Sequence, residues 1–428
     1  MIMEIFIFLK IFVLTYLAII FRPLRIRESF YAIFGILLLI FFGIFDLGEV
    51  FQSIYQFEIV KPYTIIIFFT SFAVLSTGLD YLGFFEYLSV RAIKLAKQDG
   101  LKLYKYLFIL SAVTSYLSAN DIVILTLTPF ILYFSKYAKI NVRGYLIAMF
   151  IVANTASIGQ ITSNPTNFIV ATTYNIGFLE NMIIMLLPTI VGLLAIYFIL
   201  KKVFYKEFNV KFQSIKKDPD KIIKNTFQAR VFYIMLFLLM FFFAIAPLLN
   251  LDLWVIAVIG TLLALLISRV NVKELMEKMP WNVILLVTTF FILISGFIHT
   301  GLYDNFVVYL SNISVGESLA EFTAFSFIVA VLCGLFNNIP VTTILTSLSV
   351  NLQSVNQSLV SYALIIGSNV GANLTILGSL AGIMWFHLIK SNKYKIKLWD
   401  FTKYGILATV PFVIIVTVII YIEIVYFK

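Results

Sequence analysis

The sequence predicts an all-α polytopic membrane protein made of two inverted repeats, each with a re-entrant hairpin and a broken helix, or about ten full spans plus two hairpins. Three observations carry this expectation. The chain is 61% hydrophobic and only 12% charged, where soluble domains carry about a quarter charged residues, and its mean hydropathy is +1.02. Its apolar runs are continuous rather than alternating, so they read as helices and not as barrel strands, despite the abundance of Phe and Tyr. Clusters of small polar residues interrupt four of those runs, in an order that recurs half a chain later.

The first span covers Glu4 to Phe21. It opens without a basic segment and no small-residue cleavage site follows, so it reads as a span rather than a signal peptide. Arg22, Arg25 and Arg27 come next. Basic loops stay cytoplasmic, which places the N-terminus outside. The second span, near Phe30 to Phe45, leads into the acidic stretch DLGEVFQSIYQFE, expected outside. The third starts near Tyr63 and returns to the basic stretch RAIKLAKQDGLKLYK.

The stretch Leu107 to Phe134 has Lys102 and Lys105 before it and Lys136, Lys139 and Arg143 after it. Both ends are therefore cytoplasmic, and the segment, about 104–135, reads as a re-entrant hairpin with SAND (Ser118 to Asp121) near its tip. Two short full spans joined by a polar turn are the alternative. A helix over about 144–176 is broken by NTASIGQITSNPTN, which contains Pro165. After a span at Met182 to Leu200 comes the longest hydrophilic stretch, strongly basic. It is taken as a cytoplasmic linker, 205–228, between repeats at 1–204 and 229–428.

Spans of the second repeat begin near Val231, Leu253 and Val283, with Arg269, Lys273 and Lys278 inside. The loop with Asp304 and Glu317 has almost no basic charge and is placed outside. A second hairpin, about 319–352, carries NNIP (Asn337 to Pro340) at its tip and has both ends outside. A second broken helix, about 358–390, contains SNVGANLTILGS. The last span ends near Phe427, which puts the C-terminus outside as well.

Composition excludes several chemistries. A lone cysteine, Cys333, rules out an intrachain disulfide and a Cys-clustered metal site. His299 and His387 are too few for a zinc centre. The net charge of +10 belongs to cytoplasmic loops rather than to a nucleic-acid surface. No nucleophile–base pair stands out at membrane depth, so the chain is not expected to be an enzyme or to need a cofactor. It has no nucleotide-binding loop, so any use of ATP requires a separate soluble ATPase.

The repeat is visible in short matches. TGL at Thr77 to Leu79 and YLS at Tyr87 to Ser89 recur at Thr300 to Leu302 and Tyr309 to Ser311. Asn120 pairs with Asn338 and Asn154 with Asn369, at offsets of 215 to 223 residues. An odd number of full spans per half makes the second half enter the membrane inverted, an architecture suited to alternating access.

Such breaks bring helix ends and unwound backbone to the bilayer midplane, where protein or water must satisfy them. The second break offers Asn369, Asn373, Thr375 and Ser379, with Gly371 and Gly378 supplying permissive dihedrals. The first offers Asn154, Thr155, Ser157, Thr162, Ser163, Asn164, Thr166 and Asn167. The hairpin tips add Ser118, Asn120, Asp121, Asn337, Asn338 and Thr342. Any one of these residues serves helix packing as readily as binding. Their clustering at four related breaks points to a site for a small solute or ion.

Asp121 stands apart. A carboxylate at membrane depth costs at least roughly 2.5–3.5 kcal/mol on insertion scales, which argues for carrying a proton or ligating a cation. The structural alternative is an N-cap of the second hairpin helix. The second repeat has Ile339 at the matching position. No Arg or Lys falls within the breaks, which favours a neutral hydroxylated solute over a multivalent anion.

These residues resemble a known family. GSNVGANLTILGSLAGIMWFHLI, SANDIVILTLTP, ANTASIGQITSNPTN and FNNIPVTTIL are similar to the paired signatures of the arsenite/antimonite efflux permeases (ArsB-like) of the ion transporter superfamily, and the likeness covers essentially the whole chain. The resemblance implies a secondary transporter of the cell membrane that exports trivalent arsenic or antimony as the hydroxide, driven by proton entry. In that scheme Asp121 is the proton-linked carboxylate. Asn120, Asn154, Asn164, Asn338, Asn369 and Asn373, with nearby Ser and Thr groups, line the site. It also implies a homodimer through the spans outside the hairpins and breaks. A sodium-coupled carboxylate or inorganic anion carrier and a sodium/proton antiporter share the fold and remain as alternatives, so the coupling ion is H+ or Na+.

Overall fold

The computed structural model describes residues 2–24, 26–56, 60–138, 140–213, 218–303, 318–350 and 356–426. Arg25, Lys139, Asp304, Tyr309 to Ser311 and Glu317 lie outside the described residues. All regular structure among the described residues is helical. In the first half, α1 is Ile2–Phe21, α2 Glu28–Phe41, α3 Leu47–Tyr55, α4 Pro62–Tyr81, α5 Phe84–Leu95, α6 Gly100–Leu117 and α7 Asn120–Ala138. Then follow α8 Arg143–Ala156, α9 Pro165–Thr173, α10 Phe178–Val203 and α11 Tyr205–Phe208. In the second half, α12 is Thr226–Leu249, α13 Leu253–Ser268, α14 Val272–Lys278, α15 Trp281–His299, α16 Leu319–Phe336 and α17 Asn338–Ser349. The chain closes with α18 Gln357–Gly371, α19 Leu380–Ser391 and α20 Leu398–Tyr426.

Seven of these helices (α1, α4, α10, α12, α15, α16 and α20) are long and apolar enough to cross a membrane, and α2, α13 and the apolar part of α7 are shorter apolar helices. Side-chain burial runs opposite to that of a soluble protein. Large apolar residues such as Phe241, Leu262, Leu266 and Ile414 point outward, while nearly all Ser, Thr and Asn of the breaks are buried. That is the pattern a lipid solvent imposes. The chain is a polytopic membrane protein.

The helices gather in two bundles. In one, α6 packs on α8, α10 on α20, and α16 on α18 and α20. In the other, α1 packs on α2, α2 on α15, and α4 and α12 on α13. Between them the contacts cross over, with α7 against α19 and α17 against α9. The second arm of each hairpin thus meets the second segment of the other half's broken helix.

The linker is docked. Phe208 and Phe212 are buried, Gly100 N–H donates to the Val210 carbonyl at 2.9 Å, and Lys224 N–H to that of Leu82 at 3.1 Å. Arg143 at the start of α8 pairs with Glu207 at 2.5 Å and with Asp400 at 3.4 Å, and Tyr394 donates to Asn141 at 2.5 Å. These bonds collect the open end of α6–α7 and the ends of α8 and α20 at the linker face. Tyr174 and Ser349, in turn, share a 2.8 Å bond at the far ends of α9 and α17.

Three helices occupy stretches that hydropathy presents as loops. α3 starts at a capping box in which the Asp46 carboxylate accepts from Glu49 N–H at 2.7 Å and Glu49 accepts from Asp46 N–H at 2.7 Å. α5 buries Phe85, Val90 and Ile93, and α14 buries Leu275. Each is too short to span and too amphipathic to be loop.

Candidate functional site

Each polar interruption coincides with a helix break. After α8 the chain makes two 3₁₀ turns, Ser157–Gly159 and Ile161–Ser163, before Pro165 opens α9. Proline suits that first position because its missing N–H would be unpaired there anyway. After α18 a single 3₁₀ turn, Ile376–Gly378, precedes α19. Gly371 and Gly378 do not take the positive φ expected of them; glycine serves close approach instead, since a Cβ on Gly378 would lie 2.6 Å from the Gly371 carbonyl oxygen. The tip of the first hairpin is Ser118–Ala119. That of the second is Asn337, whose φ of 68° an asparagine tolerates better than most residues.

The amides of the two breaks meet. Asn369 Oδ1 accepts from Ser157 Oγ at 2.6 Å and from Asn164 Nδ2 at 2.8 Å. Its Nδ2 donates to Asn167 Oδ1 at 2.5 Å and to the Ile365 carbonyl at 2.7 Å. Ser368 donates to Thr166 Oγ1 at 3.2 Å. A second chain starts at the first hairpin tip. Asn120 Nδ2 donates to Asn154 Oδ1 at 3.0 Å, Asn154 Nδ2 to Asn373 Oδ1 at 3.2 Å, and Asn373 Nδ2 to Thr155 Oγ1 at 3.5 Å. All of these residues are buried. Ser157 Oγ also donates to the Asn154 carbonyl at 2.8 Å, which joins the two chains, so hairpin and both breaks form one hydrogen-bonded network in a setting where an unsatisfied amide is costly.

Other candidates mainly satisfy the freed backbone. Ser163 and Asn167 donate to the carbonyls of Ser157 and Gln160 at 2.6–2.9 Å. Thr375 donates to the Gly334 carbonyl and accepts from Leu377 N–H. Ser379 caps α19 by accepting from Gly382 N–H at 3.0 Å. Asn337 accepts from Ile339 N–H and donates to the Leu377 carbonyl, both at 3.3 Å. Ser118 shares a 2.6 Å bond with Ser76 of α4. Gly371 packs against Ala330 and Cys333. Thr342 is buried one turn past the second tip, and the Thr162 hydroxyl is buried without a hydrogen-bond partner.

Asp121 falls in the first turn of α7 rather than at its cap, beneath Asn120, whose Oδ1 accepts from Asp121 N–H at 2.8 Å. The positive end of the helix favours a carboxylate there. The carboxylate is 8% exposed and makes no hydrogen bond or ion pair with any described residue. Asn338, its neighbour in kind at the second tip, likewise has no side-chain hydrogen bond to a described residue. Among the described residues no group of three or more His, Cys, Asp or Glu gathers for a metal.

Two contributors carry no signal in the sequence. Ser76 lies in an ordinary-looking apolar helix. Gly405 of α20 touches the Asn373 carbonyl, and a side chain there would push Asn373 from its place.

A helical membrane protein with broken helices meeting in a buried polar network is of the transporter class. The chain belongs to the CitMHS family, described as Citrate transporter, whose profile matches residues 16–367. It is also similar to the arsenical pump membrane protein of Escherichia coli, at 25% identity over 94% of this chain and 95% of that one. A putative arsenical pump membrane protein of Bacillus subtilis matches at 26% over 95% and 96%, and an uncharacterized transporter of Mycobacterium tuberculosis at 23% over 90% and 91%.

Proposed function

We propose that the chain is a proton-coupled carrier that exports trivalent arsenic or antimony as the neutral hydroxide by alternating access. The two repeats are inverted in this reading, and the hairpins and breaks form the moving site. The observation that carries it is the Asp121 carboxylate, buried and without a partner among the described residues at the edge of an all-amide and hydroxyl network. A buried carboxylate is stable only with a proton or a positive partner, so this one suits a group that is loaded and unloaded in a cycle. Amides and hydroxyls both donate and accept, which matches a solute bearing three OH groups. The names of the Escherichia coli and Bacillus subtilis relatives support the same cargo.

The family description favours a second reading, a sodium-coupled carrier of citrate or a similar anion. The absence of Arg and Lys from the breaks weighs against it, since nothing basic would offset the carboxylates of the cargo. The test is arsenite accumulation in everted vesicles, in sodium-free buffer, with and without an imposed proton gradient. Gradient-dependent accumulation is expected. Folded, inserted protein that accumulates nothing, yet takes up citrate when sodium is added, would replace the first reading with the second.

A further inference from the structure

A second polar feature lies outside the amide network. A cavity of about 490 Å³ runs along α7, where Ile122, Leu125, Thr126, Pro129 and Tyr133 line it at helical spacing, one face of the helix. From Ile122 to Tyr133 this face is about 16 Å long at ~1.5 Å per residue, roughly half the ~30 Å hydrocarbon core. The inner end comes to within one residue of the first hairpin tip. Ile122 follows Asp121 directly, and Thr77 on the opposite wall follows Ser76, which is bonded to Ser118. The volume admits on the order of ten waters at ~30 Å³ each.

Polar groups in the lining can hold water. Pro129 has no N–H, so the Leu125 carbonyl loses its intrahelical donor where both residues line the cavity. Such a group is tolerated at membrane depth where water reaches it. Asp80, in the last turn of α4, is exposed on the wall facing Thr126. The charges that act on it come from three other elements: Glu86 of α5, Lys224 of the linker and Lys278 of α14. Tyr81, next to Asp80, ties α4 to α14. Its hydroxyl donates to Glu274 at 2.5 Å, which holds that carboxyl below its ordinary range, and its ring lies 4.1 Å from Lys224 Nζ and 5.2 Å from Lys278 Nζ.

On the far face a cavity of similar size also comes to within one residue of the network, but there it is closed by aromatic rings. It ends on Phe168, one residue past Asn167, and that ring stacks on Phe68 at 4.0 Å with Phe243 5.8 Å from Phe68. The site is thus neared from both faces, along Thr77, Asp80 and Thr126 on the linker side and against a stack of aromatic rings on the other.

We propose that the α7 cavity is the linker-side path to the site and that Asp80 is a second carboxylate on it, passing the coupling proton between Asp121 and water at the mouth; the proton role rests on the carrier reading above. The step is a plain transfer. A proton leaves Asp121, crosses the cavity water to the Asp80 carboxylate and is released at the mouth, and both groups return to carboxylates.

The lone cysteine makes the path testable without any cargo. In a Cys333→Ala background, Ile122→Cys, Thr126→Cys and Thr172→Cys are probed one at a time with a membrane-impermeant maleimide, in vesicles of both orientations. Lys221→Cys in the linker reports which face is outward. Ile122→Cys and Thr126→Cys should label only when the linker face is outward, and Thr172→Cys, in the far cavity, only when it is inward. Labelling of Ile122→Cys from the far face, or from neither, overturns the path. Asp80→Asn should lower proton-driven transport severalfold and shift its pH profile with cargo KM unchanged, and Asp80→Glu should restore both. An unchanged rate and profile removes Asp80 from the path. The expected labelling with no arsenite transport would leave the path standing and overturn the cargo instead.

Discussion

The two hairpin tips occupy matching places in the chain and do different chemistry. At the first, Asn120 reaches through Asn154 to Asn373, tying the tip to both breaks, while Asp121 beside it is left without a partner. At the second, Asn337 is used up by its own helix start and the Leu377 carbonyl, and Ile339 stands where the carboxylate would be. A repeated backbone break therefore does not imply a repeated function. In the proposed carrier the first tip would hold the group that a proton or cation loads, and the second has no carboxylate at the matching position.

The sharpest way to break this comparison is Asp121→Asn. Gradient-driven accumulation should fall to the level of vesicles without the protein, with the chain still folded in detergent by size-exclusion profile. Surviving pH dependence would demote Asp121 to a residue favoured only by the helix end. Next in size is Asn369→Ala. It removes the hub of four hydrogen bonds and leaves Asn164 Nδ2 and Asn167 Oδ1 without a partner among the described residues, while the Ser157 hydroxyl keeps the Asn154 carbonyl. At about 1–3 kcal/mol per unsatisfied buried group, the loss should reach at least ~2 kcal/mol, read as a clear drop in Tm in detergent.

How far the sequence reads correctly depends on range. Spans are legible because hydropathy is a local sum, and the breaks are legible because Asn, Gly and Pro mark them within a few residues. The capping box of α3 was equally local but lay inside an acidic stretch that reads as a loop. Phe208 and Phe212 were hidden among lysines, where window averaging makes a docked segment look like free linker. The meeting of Asn154 with Asn373, the Ser76–Ser118 bond and the approach of Gly405 to Asn373 join residues far apart in the chain. No local pattern encodes them.

Ile339→Asp sharpens the comparison from the other side by giving the second tip a carboxylate. Insertion should cost about 2.5–3.5 kcal/mol, because Ile339 is buried in a hydrophobic cluster. Combined with Asp121→Asn it should not restore coupling. Rescue would show the tips to be interchangeable.

The smallest expected effect is the most discriminating. Asn338 is 4% exposed and has no side-chain hydrogen bond to a described residue. If it were there for packing alone, Asn338→Leu would be neutral or stabilising, since an unpaired buried amide is replaced by an apolar group of similar size. If it faces cargo, stability should change by less than ~1 kcal/mol in the empty protein while the apparent KM for arsenite rises and the pH profile stays put. The same substitution at Asn120 should disturb both, because that amide also anchors the tip that carries Asp121. A split between the two asparagines, KM alone at one tip and KM with pH profile at the other, is what an asymmetric pair of hairpins requires.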